Sequence, residues 1–155
     1  KMTETYIQFW KDNLTKSRKL DLYKSFKMDY HEELYLKAIK NNERRTTFTK
    51  FRISNHSLAI EAGRYGNVKV PAENRICVYC EKRDIETEKH MIFKCTKYKD
   101  LRSDFLTKIK TKINLNIEDE NNFLTSLMIT ENYDLINIFS TYISNCFQLC
   151  NANQN

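Results

Sequence analysis

RICVYCEKRDIETEKHMIFKC, residues 75–95, decides how the rest of this 155-residue chain is read. It sets Cys77, Cys80, His90 and Cys95 in a C-x2-C-x9-H-x4-C order. Two cysteines separated by two residues reach adjacent corners of a tetrahedron from one tight turn, and a later His/Cys pair on a following element closes the other two. In a reducing compartment this spacing points to metal before it points to a disulfide. Four protein ligands leave no coordination position for water or substrate, so a single Zn²⁺ here is expected to be structural. Buried free thiols acting as small hydrophobes are the plainer alternative. A Cys/His catalytic dyad is a third, and it needs one activated thiolate with a defined base, which three crowded thiols do not single out.

Around this stretch the chain reads as mainly α, a small helical bundle with a zinc knuckle (a short turn or hairpin plus helix) in its middle. Two Gly and one Pro are too few for the turns of an all-β protein, while 41% hydrophobic and 12% aromatic residues suit a folded chain. Three regions follow: a basic helical region over 1–66, the knuckle over 67–96, and C-terminal helices over 97–155. They are expected to form one folded unit cut from a longer chain. Tyr6, Phe9, Trp10 and Leu14 mark a first amphipathic helix, Leu20, Tyr23, Phe26 and Tyr30 a second, and Leu34, Tyr35, Ala38 and Ile39 a third. Each buries one stripe, so the three are expected to pack on one another. Lys16, Arg18 and Lys19 make a charged joint, and Ser54 with Asn55 reads as the entry to a helix that Gly63 ends in a left-handed cap. Beyond Cys95, Tyr98, Leu101, Phe105 and Ile109 line a basic amphipathic helix. An acidic break over 118–122 separates it from two apolar stripes, on the second of which Cys146 and Cys150 read as core thiols.

Charge is divided along the chain. Lys and Arg outnumber Asp and Glu by 26 to 20, yet none of those cations falls after residue 112. A body at +11 is followed by a tail at −5. A polyanion is attracted to the first and repelled by the second. The candidate contacts are Arg44, Arg45, Lys50 and Arg52, interleaved with Phe48 and Phe51; Arg64 beside Tyr65; Arg75; and Lys82, Arg83 and Tyr79 around the cysteine turn. Arginine forks match phosphate oxygens, and a tyrosine ring can stack on an unpaired base. An ordinary charged outer face explains the helical cations equally well, and Tyr79 packing on the domain remains the other reading of that ring. His56 reads as a structural donor and His31 as a surface histidine; Glu86 or Glu88 is placed to orient His90. No apolar run nears the roughly 20 residues needed to cross a bilayer, and the polar start lacks a signal-peptide core. An intracellular protein without a membrane partner is expected.

The block RTTFTKFRISNHSLAIEAGRY, residues 45–65, together with the cysteine stretch and IETEKH, residues 85–90, resembles the zinc-binding region that follows the polymerase domain in non-LTR (LINE-type) retrotransposon reverse transcriptases. The similarity runs over residues 20–102, about half of the chain, and departs from the family pattern at Phe48 and Thr87, neither a proposed ligand. It implies a non-catalytic module behind an upstream polymerase domain, positioning RNA and target DNA in the nucleus, with the polymerase chemistry belonging to the parent polyprotein. No acidic triad for Mg²⁺ and no Gly-rich phosphate loop argues for an enzyme in this chain. The alternative is a structural or protein-interaction module derived from such an element, in which zinc only stabilises the fold.

Overall fold

A computed structural model describes residues 3–17, 19–27, 29–112 and 119–152. Arg18 of the charged joint and Glu118 of the acidic break lie outside them. The described residues are mainly helical and contain no β-strand, only one antiparallel bridge between Ile76 and Ile85.

The last helix is the one against which most of the core helices pack. It has 20 residues, Tyr133–Ala152, and is called α8; at 1.5 Å per residue it is about 30 Å long. Leu135, Ile136, Phe139, Tyr142, Ile143, Cys146, Phe147 and Cys150 recur every three to four positions and are all buried. Its start is fixed by the Asn132 side chain, which accepts from the backbone N–H of Asp134 at 2.9 Å and of Leu135 at 3.2 Å.

Two helices lie directly on it. In α4 (Asn42–Arg52), Asn41 caps the first turn by accepting from Arg44 N–H at 2.8 Å, and the buried Phe48 and Phe51 meet Phe139 edge-on at 5.6 and 6.3 Å. In α6 (Lys99–Lys110), Phe105 lies flat on Tyr142, with ring centroids 4.5 Å apart, and touches Phe139 at 5.8 Å. Phe139, fully buried, therefore joins α4, α6 and α8 through three rings. Each such ring pair is worth about 0.5–1.5 kcal/mol beyond its area burial. The shorter helices α2 (Asp21–Phe26), α3 (Tyr35–Ala38) and α7 (Glu120–Ile129) complete the core: α3 packs on α8, α2 on α7, and α7 on α8.

The expected packing of the first three helices on one another is not what forms. Helix α1 (Glu4–Lys16) buries none of its residues and meets the rest of the chain through Tyr6 and Trp10, which stand edge-on to Tyr30 at 5.8 and 5.3 Å. With 6 and 4 residues, α2 and α3 are too short to present a full apolar stripe to α1. Phe26, Tyr35, Ala38 and Ile39 are drawn instead into the core around α4, α7 and α8.

Ser54 and Asn55 end a helix and do not begin one. Asn55 N–H reaches Lys50 C=O at 2.7 Å and Ser54 N–H reaches Phe51 C=O at 3.1 Å, the paired bonds of a Schellman cap on α4, with Ser54 in the left-handed region at φ 51°. The one-turn helix α5 (Ala59–Ala62) starts four residues later. At its end Gly63 is right-handed, with φ −68°, so the expected left-handed cap is absent. What glycine supplies there is room: a Cβ would sit 2.8 Å from the Arg75 side chain, which crosses over it.

Candidate metal centre

Two backbone devices bring the four candidate ligands together. The first is a small hairpin. Cys77 N–H donates to Asp84 C=O at 2.8 Å and Glu86 N–H to Arg75 C=O at 2.9 Å, on either side of the Ile76/Ile85 bridge. Arg83, at φ 51°, closes the turn by donating to Cys80 C=O at 3.1 Å. Cys77 and Cys80 thus lie in the turn with Val78 and Tyr79 exposed between them. The second device is a single π-helical turn, His90–Lys94, entered after the Thr87 hydroxyl accepts from His90 N–H at 3.1 Å. Cys95 N–H closes it on His90 C=O at 2.8 Å, five residues back. Wider than an α-turn, this ring presents both later ligands to the hairpin.

The ligand atoms of Cys77, Cys80, His90 and Cys95 all lie within 4.8 Å of one another, and all four residues are buried. Cys77 Sγ is 3.7 Å from Cys95 Sγ, Cys80 Sγ is 3.6 Å from Cys95 Sγ, and Cys80 Sγ is 3.4 Å from His90 Nε2. With Zn–S near 2.3 Å and Zn–N near 2.0–2.1 Å, the edges of a tetrahedron come to about 3.5–3.8 Å. A disulfide needs about 2.05 Å. The cluster is compatible with one tetrahedral metal ion and not with a sulfur–sulfur bond.

Hydrogen bonds prepare the sulfurs for negative charge. Cys80 Sγ accepts from Thr96 N–H at 3.3 Å and lies 3.5 Å from the Thr96 hydroxyl. Burial pushes the Cys77 and Cys95 thiols up, because a lone thiolate is poorly solvated there. At Cys80 burial pushes the same way but is outweighed by its hydrogen bonds with Thr96, Cys95 and Cys77, so its pKa falls below that of an ordinary thiol. His90 is held below the usual histidine range by burial, which the nearby Asp84 and Glu86 only partly offset. A neutral imidazole with Nε2 toward the sulfurs is the ligand form.

The carboxylates that position the site are not the expected ones. Asp84 Oδ2 faces His90 Nδ1 at 3.7 Å. Glu86 instead accepts from Ala59 N–H at 2.7 Å, and Glu88 from the Ser54 hydroxyl at 2.7 Å while meeting His56 Nε2 at 3.0 Å. Burial works against the charge on Glu88, but the His56 bond and charge, with Ser54, hold its pKa below the ordinary value. These two glutamates tie the metal-site segment to the end of α4 and the start of α5. His56 is also held, stacked on Phe147 at 5.7 Å, and His31 is exposed.

The candidate nucleic-acid contacts divide sharply. Arg52 is the correction: it is 2% exposed, donating to Met128 C=O at 2.7 Å and Glu33 at 2.8 Å beneath the rings of Phe26 and Tyr35. Its place near the end of α4 turns it inward, since Phe48, Phe51 and Arg52 span the buried face. Arg44 holds α8 through Thr141 at 2.8 Å and Asn137 at 2.7 Å, and Arg45 donates to Ile39 C=O at 3.0 Å. Arg75 donates to Ile60 C=O at 2.7 Å and Val70 C=O at 2.9 Å, and Arg64 pairs with Glu61 at 2.9 Å. Lys50, Lys82 and Arg83 are exposed. Tyr79 is 37% exposed, with the Lys97 ammonium 3.7 Å above its ring.

Asp84 and Thr96 escape a motif reading because nothing in the ligand spacing distinguishes them. The fold and site define a mainly helical chain with a buried Cys3His cluster fit for one metal ion. Comparison with protein-family models, curated proteins and solved structures gives no match. No helix among the described residues is long and apolar enough to cross a membrane.

Proposed function

We propose that Cys77, Cys80, His90 and Cys95 hold one structural Zn²⁺ and that the chain is a non-catalytic nucleic-acid-binding module. The observation that carries the metal half is the buried set of four ligand atoms within 4.8 Å of one another. A donor set of sulfur and imidazole suits zinc, and four protein ligands complete its shell. The polyanion half rests on the charge split and on Lys50, Lys82 and Arg83 standing exposed. The resemblance of residues 45–65 and 75–95 to the region behind retrotransposon polymerase domains supports the same reading, in which the proposed ligands are RNA and target DNA, met in the nucleus beside an upstream polymerase.

The test is a fluorescence-anisotropy titration with labelled single-stranded RNA and duplex DNA over a salt series. Affinity that falls steeply with salt, and falls further in Lys50→Ala/Lys82→Ala/Arg83→Ala with a shallower salt slope, supports the proposal. Binding indifferent to salt, or none, defeats it.

One observation favours a second reading. Arg44, Arg45, Arg52 and Arg75 are engaged inside the fold, while Phe9 and Tyr6 on α1 are 63% and 47% exposed. A structural or interaction module with zinc as a fold staple has this distribution, and sedimentation of the chain as a stable oligomer, with no nucleic-acid binding, decides for it.

A further inference from the structure

The surroundings of the metal centre contain two cations with an unmet need. Lys97 Nζ and Arg102 Nη1 are buried from solvent, and neither has a hydrogen-bond acceptor among the described residues. Burying an ammonium or guanidinium nitrogen without a partner is costly, and proteins avoid it unless an anion sits nearby. Both cations lie beside the same candidate ligand. Lys97 follows Cys95 by two residues, and Arg102 Nη2 donates to Cys95 C=O at 3.0 Å. The Lys97 side chain then folds over Tyr79, between Cys77 and Cys80, with the ammonium 3.7 Å from the ring centre and 5.7 Å from that of Tyr98. Rings supply some attraction for the charge but no counter-ion.

Three protonated thiols and a neutral imidazole bring no negative charge, so in that state the cluster offers the two cations no counter-charge; Asp84 faces the imidazole at 3.7 Å. A divalent ion bound by three thiolates and a neutral imidazole carries one net negative charge, and Asp84 adds to it. Resting on the zinc reading above, we infer that Lys97 and Arg102 are the built-in counter-charges of an anionic metal–thiolate centre, positioned to strengthen metal binding by their charge. This assigns the two orphaned nitrogens a partner and explains why a lysine is folded back over the cysteine turn rather than extended into water.

The experiment compares paired variants of the full chain: Lys97→Met with Lys97→Arg, and Arg102→Met with Arg102→Lys. Zinc affinity is read by competition with a chromophoric chelator, and cobalt spectra report the ligand set. Supporting groups around a metal typically change affinity by about 10–100-fold. The methionine variants are expected to bind zinc weaker by that order, the charge-conserving variants to stay near the parent, and the cobalt–thiolate bands to keep their positions. Equal affinity in the methionine variants and the parent overturns the inference. So does equal behaviour of the two members of each pair, whether in binding or in failure to fold, because packing and not charge then governs. A parent chain that takes up no metal defeats the zinc reading itself, whereas metal uptake indifferent to Lys97→Met defeats this inference alone.

Discussion

Arg52 is a buried cation at the end of α4. With Lys27, buried to 6% exposure, it shares the Glu33 carboxylate, and it also donates to the Met128 C=O near the end of α7. Burial lowers its pKa, an effect Glu33 opposes. Removing the carboxylate strands two buried cations, so Glu33→Gln is expected to cost about 3 kcal/mol or more in a urea melt; a loss below half of that removes Glu33 from this role. Cys146 gives a pH-dependent counterpart. Burial raises its thiol from 9.0 to about 12. The folded chain therefore keeps a proton that the unfolded chain releases, so this contribution is complete below about pH 9 and is lost as pH rises toward 12. The slope is about 1.4 kcal/mol per pH unit in that window. Cys146→Val is expected to flatten the difference in stability between pH 9 and 10, measured by denaturant titration; an unchanged slope contradicts it. The grouping of Cys77, Cys80, His90 and Cys95 was legible at this scale because spacing alone carries it. The inward turn of Arg52 was not, because which face of α4 is buried depends on α7 and α8, far along the chain.

Among the elements, α8 and the hairpin have different sources of stability. Phe139 joins α4, α6 and α8, so Phe139→Ala is expected to destabilise the chain by about 3–5 kcal/mol, read by thermal or chemical melting; a loss under 1 kcal/mol means the three helices are not held through that ring. The apolar stripe of α8 and its core thiols could be read from periodicity, as could the helical character of α4 and α6. The fate of α1 could not, since an aromatic stripe indicates a buried face without saying whether a neighbour long enough to cover it exists. The Schellman cap at Ser54 was equally hidden: serine favours helix starts, and its left-handed φ here is sustained by the Glu88 carboxylate, 34 positions later. Glu88→Gln keeps the size and removes the charge; it is expected to weaken protection of the amides around 54–60 in hydrogen exchange while leaving α8 unaffected. Equal protection in the two chains contradicts that coupling.

For the whole molecule, the Cys3His cluster and the fold are linked through a short chain of contacts. The hairpin binds α5 through Glu86 and Ile60, where Ile60 N–H donates to Glu86 C=O at 3.3 Å, and α6 follows Cys95 almost directly. Cys77, Cys80 and Cys95 belong to the same contiguous core as Phe48, Phe105 and Phe139. Chelation should then loosen residues 54–98 first and lower the melting temperature of the remainder, because binding free energy at such a site is folding free energy. Protons compete for the same sulfurs, so metal should be released as pH falls. The charge split, visible in the sequence, bears on partners and not on this architecture.

X-ray absorption on the zinc-loaded chain reads the proposed sulfur-rich tetrahedron from the ion's side. One zinc per chain is expected, with three sulfur neighbours at about 2.3 Å and one nitrogen at about 2.0–2.1 Å. A shell of oxygen and nitrogen without sulfur, or a purified chain that retains no metal, contradicts it.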